Sequence, residues 1–259
     1  MSSCLCAHSK AQFQEDCRLE PLLIAAQSSS LGGRFVELGA LDGLTHSNTH
    51  ALETCLNWTG LLIEANPESY AKLQVSGRSA TKIHSAVCRH PGRVNVTAHG
   101  GGFAGMPSEM SAAYLRSWGR RIPQRKAVVE VPCRSLTSLM QENGLPSGAE
   151  LLSLDVQGAE ELVLRSVDPA VFKVIVVEMD GFDKERERRI HSLILDAGLK
   201  QANASFRVQY SRVYTARSLQ ACRLAGLQGC RLVKLLRGAA KNRPLTFQSC
   251  HRKRSRWPW

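Results

Sequence analysis

Apolar runs bounded by turn residues alternate with amphipathic stretches through the middle of this chain, and that rhythm predicts an α/β architecture. RFVEL (34–38) combines aromatic, β-branched and aliphatic residues as a first buried strand, and GALDG (39–43) follows as a tight glycine turn. Ser47 then caps a helix whose apolar residues Ala51, Leu52, Cys55 and Leu56 recur at helical spacing. GLLIE (60–64) is a second strand, ending on the carboxylate of Glu64. A unit of this form sets a loop backbone and a strand-end acid at the carboxyl edge of a parallel sheet, where nucleotide-like cofactors bind.

The rhythm continues downstream. Asn66 ahead of Pro67 marks a helix start, with Tyr70 and Leu73 on its inner face and Gly77 closing it. ATKIHSAVC (80–88) is a third strand that brings Ser85 and Ala86 to the sheet edge, and a short strand over 93–98 precedes a glycine cluster at 100–102. Residues 100–126 break the alternation: they are rich in Gly, Ser, Met and Arg, carry Tyr114 and Trp118, and lack a clean period. An insertion of this kind in a compact domain marks a functional or mobile segment, and its position beside the sheet's carboxyl edge would make it a lid or substrate wall. Its basic residues Arg116, Arg120, Arg121, Arg125 and Lys126 read as a solvated face rather than an anion site.

VVEVPC (128–133) is a further strand, and 135–144 a short helix ending at Gly144. ELLSLD (150–155) ends on Asp155, VQG turns the chain, and 159–167 is helical. KVIVVEMDG (173–181) is apolar almost throughout, as a strand buried on both faces must be, and carries Glu178 near its end. Asp183 caps a helix that closes at Gly198, and 206–216 hold two last strands around a tight turn. The pattern is a doubly wound α/β sheet over residues 31–216. An N-terminal extension of residues 1–30 precedes it, with a helix over 12–27, and a C-terminal tail of residues 217–259 follows.

Composition adjusts this picture at the edges. A chain of 259 residues is long enough for one large domain with its own core, and no apolar run approaches the roughly 18–20 residues of a membrane span. The first residues show no basic start followed by an apolar core, so the expectation is a chain without a signal peptide, in the cytoplasm. The formal net charge is +12, but residues 217–259 hold 11 Lys or Arg and no acid, which leaves about +1 for residues 1–216. Basicity is therefore a property of the tail, which reads as a targeting address or solvated segment. Its HRKRSR run with Trp257 and Trp259 also raises the alternative of an RNA- or protein-directed activity, or of an inactive binding module. Nine cysteines without a CxxC pair read as free, mostly buried thiols in a reducing compartment, with neither a disulfide frame nor a metal site. Asn57, Asn95 and Asn203 begin glycosylation-type triplets, read in the expected absence of a signal peptide as chance matches.

The candidate chemistry lies at the strand ends. Glu64, Asp155 and Glu178 terminate three strands, while Glu37 and Asp42 belong to the first turn. Gly39 and Gly43 let the backbone turn and approach a ligand closely, and Glu64 is placed to accept from ribose hydroxyls. Glu37 and Asp155 can receive cationic donors. A dinucleotide site requires further glycines beside the diphosphate; here Ala40 and the acid Asp42 stand there instead. A carboxylate repels a diphosphate and attracts a cation, which favours S-adenosyl-L-methionine with its sulfonium and amine.

VELGALDGLTHSNTHALE, WTGLLIEANPESY, LLSLDVQGAEELVL and VIVVEM together closely resemble the FkbM-type family of S-adenosylmethionine-dependent methyltransferases, over roughly Arg34 to Ala216. The resemblance implies a class I, Rossmann-like fold: a mostly parallel seven-stranded sheet whose penultimate strand lies at the edge and whose terminal strand is antiparallel. It implies a first cofactor loop of Glu37, Gly39, Ala40, Asp42 and Gly43, a ribose site at Glu64 with Ala65 and Asn66, and adenine near Ser85 and Ala86. Asp155 would sit between cofactor and acceptor. The implied activity is O-methylation of a hydroxyl on a small molecule or sugar. Asp155 and Glu178 are then the candidate bases, with His84 and His99 behind them. Gln157 stands where the family often has Glu, which puts an acid–base role at that position in doubt.

Overall fold

The computed structural model describes residues 3–29, 31–98, 102–118 and 127–219. The main sheet is built from β1 (Arg34–Leu38), β2 (Thr59–Glu64), β3 (Thr81–His84), β7 (Ala149–Leu154), β8 (Phe172–Glu178), β9 (Leu199–Gln201) and β10 (Ser211–Ala216). Its spatial order is β3-β2-β1-β7-β8-β10-β9, with β10 antiparallel to both neighbours and the β3-to-β8 pairings parallel. Counted within the sheet, the order is 3-2-1-4-5-7-6, the doubly wound arrangement expected above. A smaller sheet joins β4 (Ala86–Val87), β6 (Ala127–Arg134) and β5 (Gly92–Ala98).

The period-2 geometry of the strands divides the core into two layers. Val36, Leu38, Leu152, Leu154, Ile175 and Val177 pack on one face, toward α7 (Leu136–Glu142), α8 (Glu160–Leu164) and α9 (Lys184–Asp196). Phe35, Leu62, Leu151, Val174 and Val176 pack on the other, with α4 (His50–Leu56) and α5 (Pro67–Gln74). Burial on both faces explains why β7 and β8 are nearly continuous apolar runs. Strand order reverses between β1 and β7, so a crevice opens at their carboxyl ends.

Several elements depart from the sequence reading. The expected helix over 12–27 is two short helices, α2 (Glu15–Arg18) and α3 (Glu20–Ala26), preceded by α1 (Cys4–His8). They do not hang off the domain: Leu5, Leu19, Leu22, Leu23 and Ala26 are buried in the second layer, in one compact unit with the sheet. Ser47 does not cap α4, whose N-cap is Thr49 without a side-chain bond; the Ser47 hydroxyl is spent on Glu37 instead. The run 80–88 is broken at Ser85, where the chain leaves the main sheet for the smaller one. The edge strand is β9 at 199–201 and not the FRVQY segment, because Ala204–Phe206 forms a 3-10 turn and Val208 makes only an isolated bridge to Ser211. Within 100–126, Ala112–Trp118 is helical (α6), while the cluster Arg120, Arg121, Arg125 and Lys126 lies outside the described residues, as does the tail from 220 on.

The cysteine expectation is overturned. Cys4 is bonded to Cys55, Cys6 to Cys17 and Cys88 to Cys133, with Cα separations of 5.9, 4.6 and 5.8 Å, inside the disulfide range. The two N-terminal bonds fasten α1 to α4 and to α2, helices of 4 to 7 residues that are too short to be stable alone. Sequence spacing could not reveal this, since each partner is supplied by tertiary contact. Among the described residues no helix is long and apolar enough to cross a membrane.

Candidate functional site

A cavity of about 420 Å³ opens at the carboxyl ends of β1, β2, β7 and β8, and its size is that of a ligand pocket. Gly39 forms its inner turn. Its φ is +75°, and a Cβ there would lie 1.8 Å from the carbonyl oxygen of Asp155, so only glycine lets the two loops close on each other. The Gly39 and Ala40 amides both donate to the Ile63 carbonyl (3.1 and 3.2 Å), and the Asp155 amide donates to Leu38 (3.3 Å). The loops are thus pinned to the sheet.

Glu37 is fully buried beneath the first loop. Oε1 accepts from the Asn48 amide (2.8 Å), and Oε2 accepts from the Ser47 hydroxyl (2.9 Å) and the Thr49 hydroxyl (2.5 Å). Burial raises its pKa, and the nearby Arg78 guanidinium opposes that rise. Arg78 is itself buried, bonded to Glu53 (2.8 Å), the Ser47 and Thr49 hydroxyls and the Gly43 carbonyl. Sequence inspection singled out Glu37 but not Arg78, its electrostatic counterpart. One atom of this network is left over: Asn48 Oδ1 is buried, has no hydrogen-bond partner, and belongs to a residue on the cavity wall.

The remaining first-loop candidates face elsewhere. Asp42 accepts from the amides of Leu44 and Thr45 and from the Thr45 hydroxyl, which holds its pKa down against burial. Ala40 packs in the second core layer, and Gly43 backs onto Leu73, Ser76 and Arg78. These three shape the loop without lining the cavity. Glu64, Ala65, Asn66, Ser85 and Ala86 do line it. Glu64 Oε2 accepts from the Leu41 amide (2.7 Å) and Oε1 from the Asn66 amide (2.8 Å), while burial pushes its pKa up to about 7. His84 instead stacks on Tyr70 at 4.8 Å and bonds the Ala65 carbonyl, away from the cavity; His99 lies outside the described residues.

Asp155 and Glu178 meet on the wall formed by β7 and β8. Burial first, and then the charge of Asp155, drive the Glu178 carboxyl far above the usual carboxylate range. Gln157 binds them together. Its Nε2 donates to Asp155 Oδ1 (2.6 Å) and Glu178 Oε2 (3.3 Å), and its Oε1 accepts from the Tyr114 hydroxyl. Gln157 is at φ +54°, an uncommon conformation for a side-chain-bearing residue. An amide suits this post because it donates to two acids, whereas a glutamate would add a third. Tyr114, Phe103 and Met106 come from the 100–126 insertion, and Phe182 closes the far wall, in edge contact with Tyr114 at 6.2 Å. Gln12, brought by the N-terminal segment, and Tyr210 also line the cavity, and Phe13 next to Gln12 meets the Tyr210 ring at 5.6 Å. Neither Gln12 nor Tyr210 was visible as a site residue in sequence, since each arrives from a distant segment.

Among the described residues one cluster has metal-ligand spacing. Atoms of Cys4, His8 and Cys55 lie within 4.8 Å of one another, but the two sulfurs are bonded together and neither is a free thiolate.

A search of curated protein sequences finds no match. Three solved structures, each 11% identical in sequence, are similar to this chain. A methyltransferase FkbM from Methylobacillus flagellatus KT has a TM-score of 0.43, over 82% of this chain and 56% of that one, so the chain spans little more than half its length. A precorrin-6y C5,15-methyltransferase from Geobacter metallireducens GS-15 gives 0.39, over 80% and 88%. A fibrillarin pre-rRNA processing protein from Methanococcus jannaschii gives 0.35, over 72% and 67%. The family model described as the methyltransferase FkbM domain matches residues 37–207, from the acid under the first loop to the segment before the last strand, and the chain belongs to that family.

Proposed function

We propose that this chain is an S-adenosylmethionine-dependent methyltransferase that acts on a hydroxyl of a small molecule or sugar. The observation that carries the reading is the acid-walled cavity in which Asp155 and Glu178 stand side by side, bridged by the Gln157 amide.

The residues present fit the donor. Asn48 Oδ1, a buried acceptor lacking a partner, calls for a donor such as the cofactor's amine. Glu64 lines the cavity, and a carboxyl that accepts from backbone amides still has lone pairs for ribose hydroxyls. Ala86 and Val87, apolar and on the wall, would flank the adenine, and bare Gly39 admits the cofactor next to the sheet edge. An acidic wall also favours a cationic ligand over a diphosphate. When bound, S-adenosylmethionine supplies an electrophilic sulfonium methyl, so the protein's main task is alignment.

The acceptor hydroxyl would be oriented by Asp155, which takes its proton as the oxygen attacks. Gln157 and Glu178 fix the orientation of that carboxylate, and Tyr114, Phe103 and Phe182 limit water access. Calorimetry with S-adenosylmethionine is the first test, followed by label transfer from a methyl-labelled donor to a panel of sugars, lipids and small alcohols. Absence of binding by the oxidised, full-length chain would sink the proposal; binding with transfer to nitrogen or carbon acceptors alone would remove the hydroxyl assignment.

A further inference from the structure

The cavity leaves two features of the chain unabsorbed: its disulfides and its three Asn-X-Ser/Thr triplets. Every cysteine among the described residues is paired, in three bonds that join segments 11, 45 and 51 residues apart. Disulfides of this kind persist where the environment is oxidising and are rare in a reducing cytosol. The expectation that the triplets are chance matches rests on the expected absence of a signal peptide, and these bonds point the other way, to an oxidising compartment.

The triplets also have the right placement. Asn57, Asn95 and Asn203 are all exposed. Asn57 lies in the left-handed turn that ends α4, with Thr59 exposed two residues on. Its Nδ2 donates to the Leu31 carbonyl at 3.3 Å, and a substituted amide keeps one N–H for that bond. Asn203 stands at the start of the 3-10 turn, and its Oδ1 accepts from Ser205 Oγ at 2.5 Å, which leaves the nitrogen outward. Asn95 is exposed on β5, opposite Glu130 on β6, two residues before the buried Thr97 on the same face of the strand. None of the three lines the cavity, so a glycan at any of them leaves the proposed site open.

We propose that Asn57, Asn95 and Asn203 are N-glycan acceptors and that the chain matures in an oxidising, glycan-transferring compartment. The co-reactant is a lipid-diphosphate-linked oligosaccharide. The carboxamide nitrogen forms a bond to the anomeric carbon, that carbon's bond to the diphosphate oxygen breaks, the amide proton passes to a base of the transferring enzyme, and the lipid diphosphate leaves.

The test uses the full chain from its own cells, with free thiols blocked at lysis. Unreduced peptide mapping is expected to recover the Cys4–Cys55, Cys6–Cys17 and Cys88–Cys133 pairs. Peptide-N-glycosidase in heavy-oxygen water is expected to convert all three asparagines to labelled aspartate. Asn95→Gln and Asn203→Gln should each lose one step of electrophoretic mobility shift. At position 57 Thr59→Ala serves as well as Asn57→Gln, because it removes the triplet and keeps asparagine in the left-handed turn. A site found unmodified overturns its own assignment. Blocked thiols at the six cysteines, or three unmodified asparagines on a disulfide-linked chain, overturn the proposal as a whole.

Discussion

Glu160 begins α8 with its carboxyl buried, and Oε1 alone accepts both the Val156 and the Gly158 amides at 3.1 Å. Burial pushes its pKa from the ordinary 4.5 up to about 7, with the charge of Asp155 adding to the rise and the backbone bonds opposing it. The folded state therefore binds this proton more tightly than the unfolded chain does. The stability so gained is fully present below about pH 4.5 and is lost as the pH rises through about 7. At about 1.36 kcal/mol per pH unit, the interval from 4.5 to about 7 corresponds to about 3 kcal/mol.

Glu160→Gln keeps the Oε1 acceptor and removes the titration. In urea unfolding of the oxidised protein, variant and wild type should be equally stable near pH 4, and a gap of about 3 kcal/mol in the variant's favour should be complete by about pH 8. With a urea slope of about 2–3 kcal/mol per molar, that gap moves the midpoint by about 1 M. Glu64 and Asp16, raised to about 7 and about 6, titrate over the same range in both proteins, so the difference between the two curves isolates Glu160. A gap that does not vary with pH, or a variant less stable than wild type at pH 8, refutes the assignment of this charge as an uncompensated buried one.

Four further outcomes follow from the geometry. Asp155→Asn should lower methyl transfer by roughly 10²–10⁴-fold, while calorimetric affinity for S-adenosylmethionine stays within about tenfold; undiminished turnover takes Asp155 out of the reaction. Gly39→Ala places a methyl 1.8 Å from the Asp155 carbonyl at φ +75° and should destabilise by about 4 kcal/mol or more, read as a fall in thermal midpoint together with lost cofactor binding. Arg78→Leu strands Glu53, which keeps its Ser79 contacts but loses its cation, and should cost about 3–5 kcal/mol, a thermal midpoint lower by about 10 °C. Removing the Cys4–Cys55 bond with paired serines opens a loop of 51 residues and should cost about 4 kcal/mol on loop entropy, measured by urea unfolding without reductant.

What sequence could foretell follows from how local each cause is. β1, β2, β7 and β8 were legible because double-faced burial writes itself into consecutive apolar residues, and the acids Glu64, Asp155 and Glu178 were legible because a polar residue ending such a run has only the sheet edge to go to. The break at Ser85 was not, because nothing local distinguishes a strand that continues from one that changes sheet. Asp42 looked like a ligand group by its position in the turn, but its nearest donors are the loop's own amides at 2.6–2.9 Å, and short-range bonds of that kind win. The disulfides were hidden for the opposite reason, since each partner is set by packing among distant elements.

The same distinction bears on where the site keeps its freedom to specialise. Four of the side-chain-bearing residues at positive φ, namely Leu41, His46, Gln157 and Tyr210, all stand on the cavity wall, whereas the strands beneath them are regular. Unfavourable backbone of this kind persists only when its surroundings hold it, and here the holding groups are identified: Glu64 takes the Leu41 amide, Asp155 and Glu178 take the Gln157 amide, and the Met179 amide donates to the Tyr210 carbonyl at 2.6 Å. The acids that the sequence marks as chemistry are thus also the anchors of the strained loops. Replacing one of them alters the position of a wall residue along with a charge, so a lost activity must be separated from a displaced loop. Gln157→Leu provides that separation for the β7 wall, because it leaves both carboxyls in place and deletes the bonds that orient them, together with the one from Tyr114. If orientation matters, turnover falls while the calorimetric affinity for S-adenosylmethionine holds; if turnover is unchanged, the amide serves the fold alone.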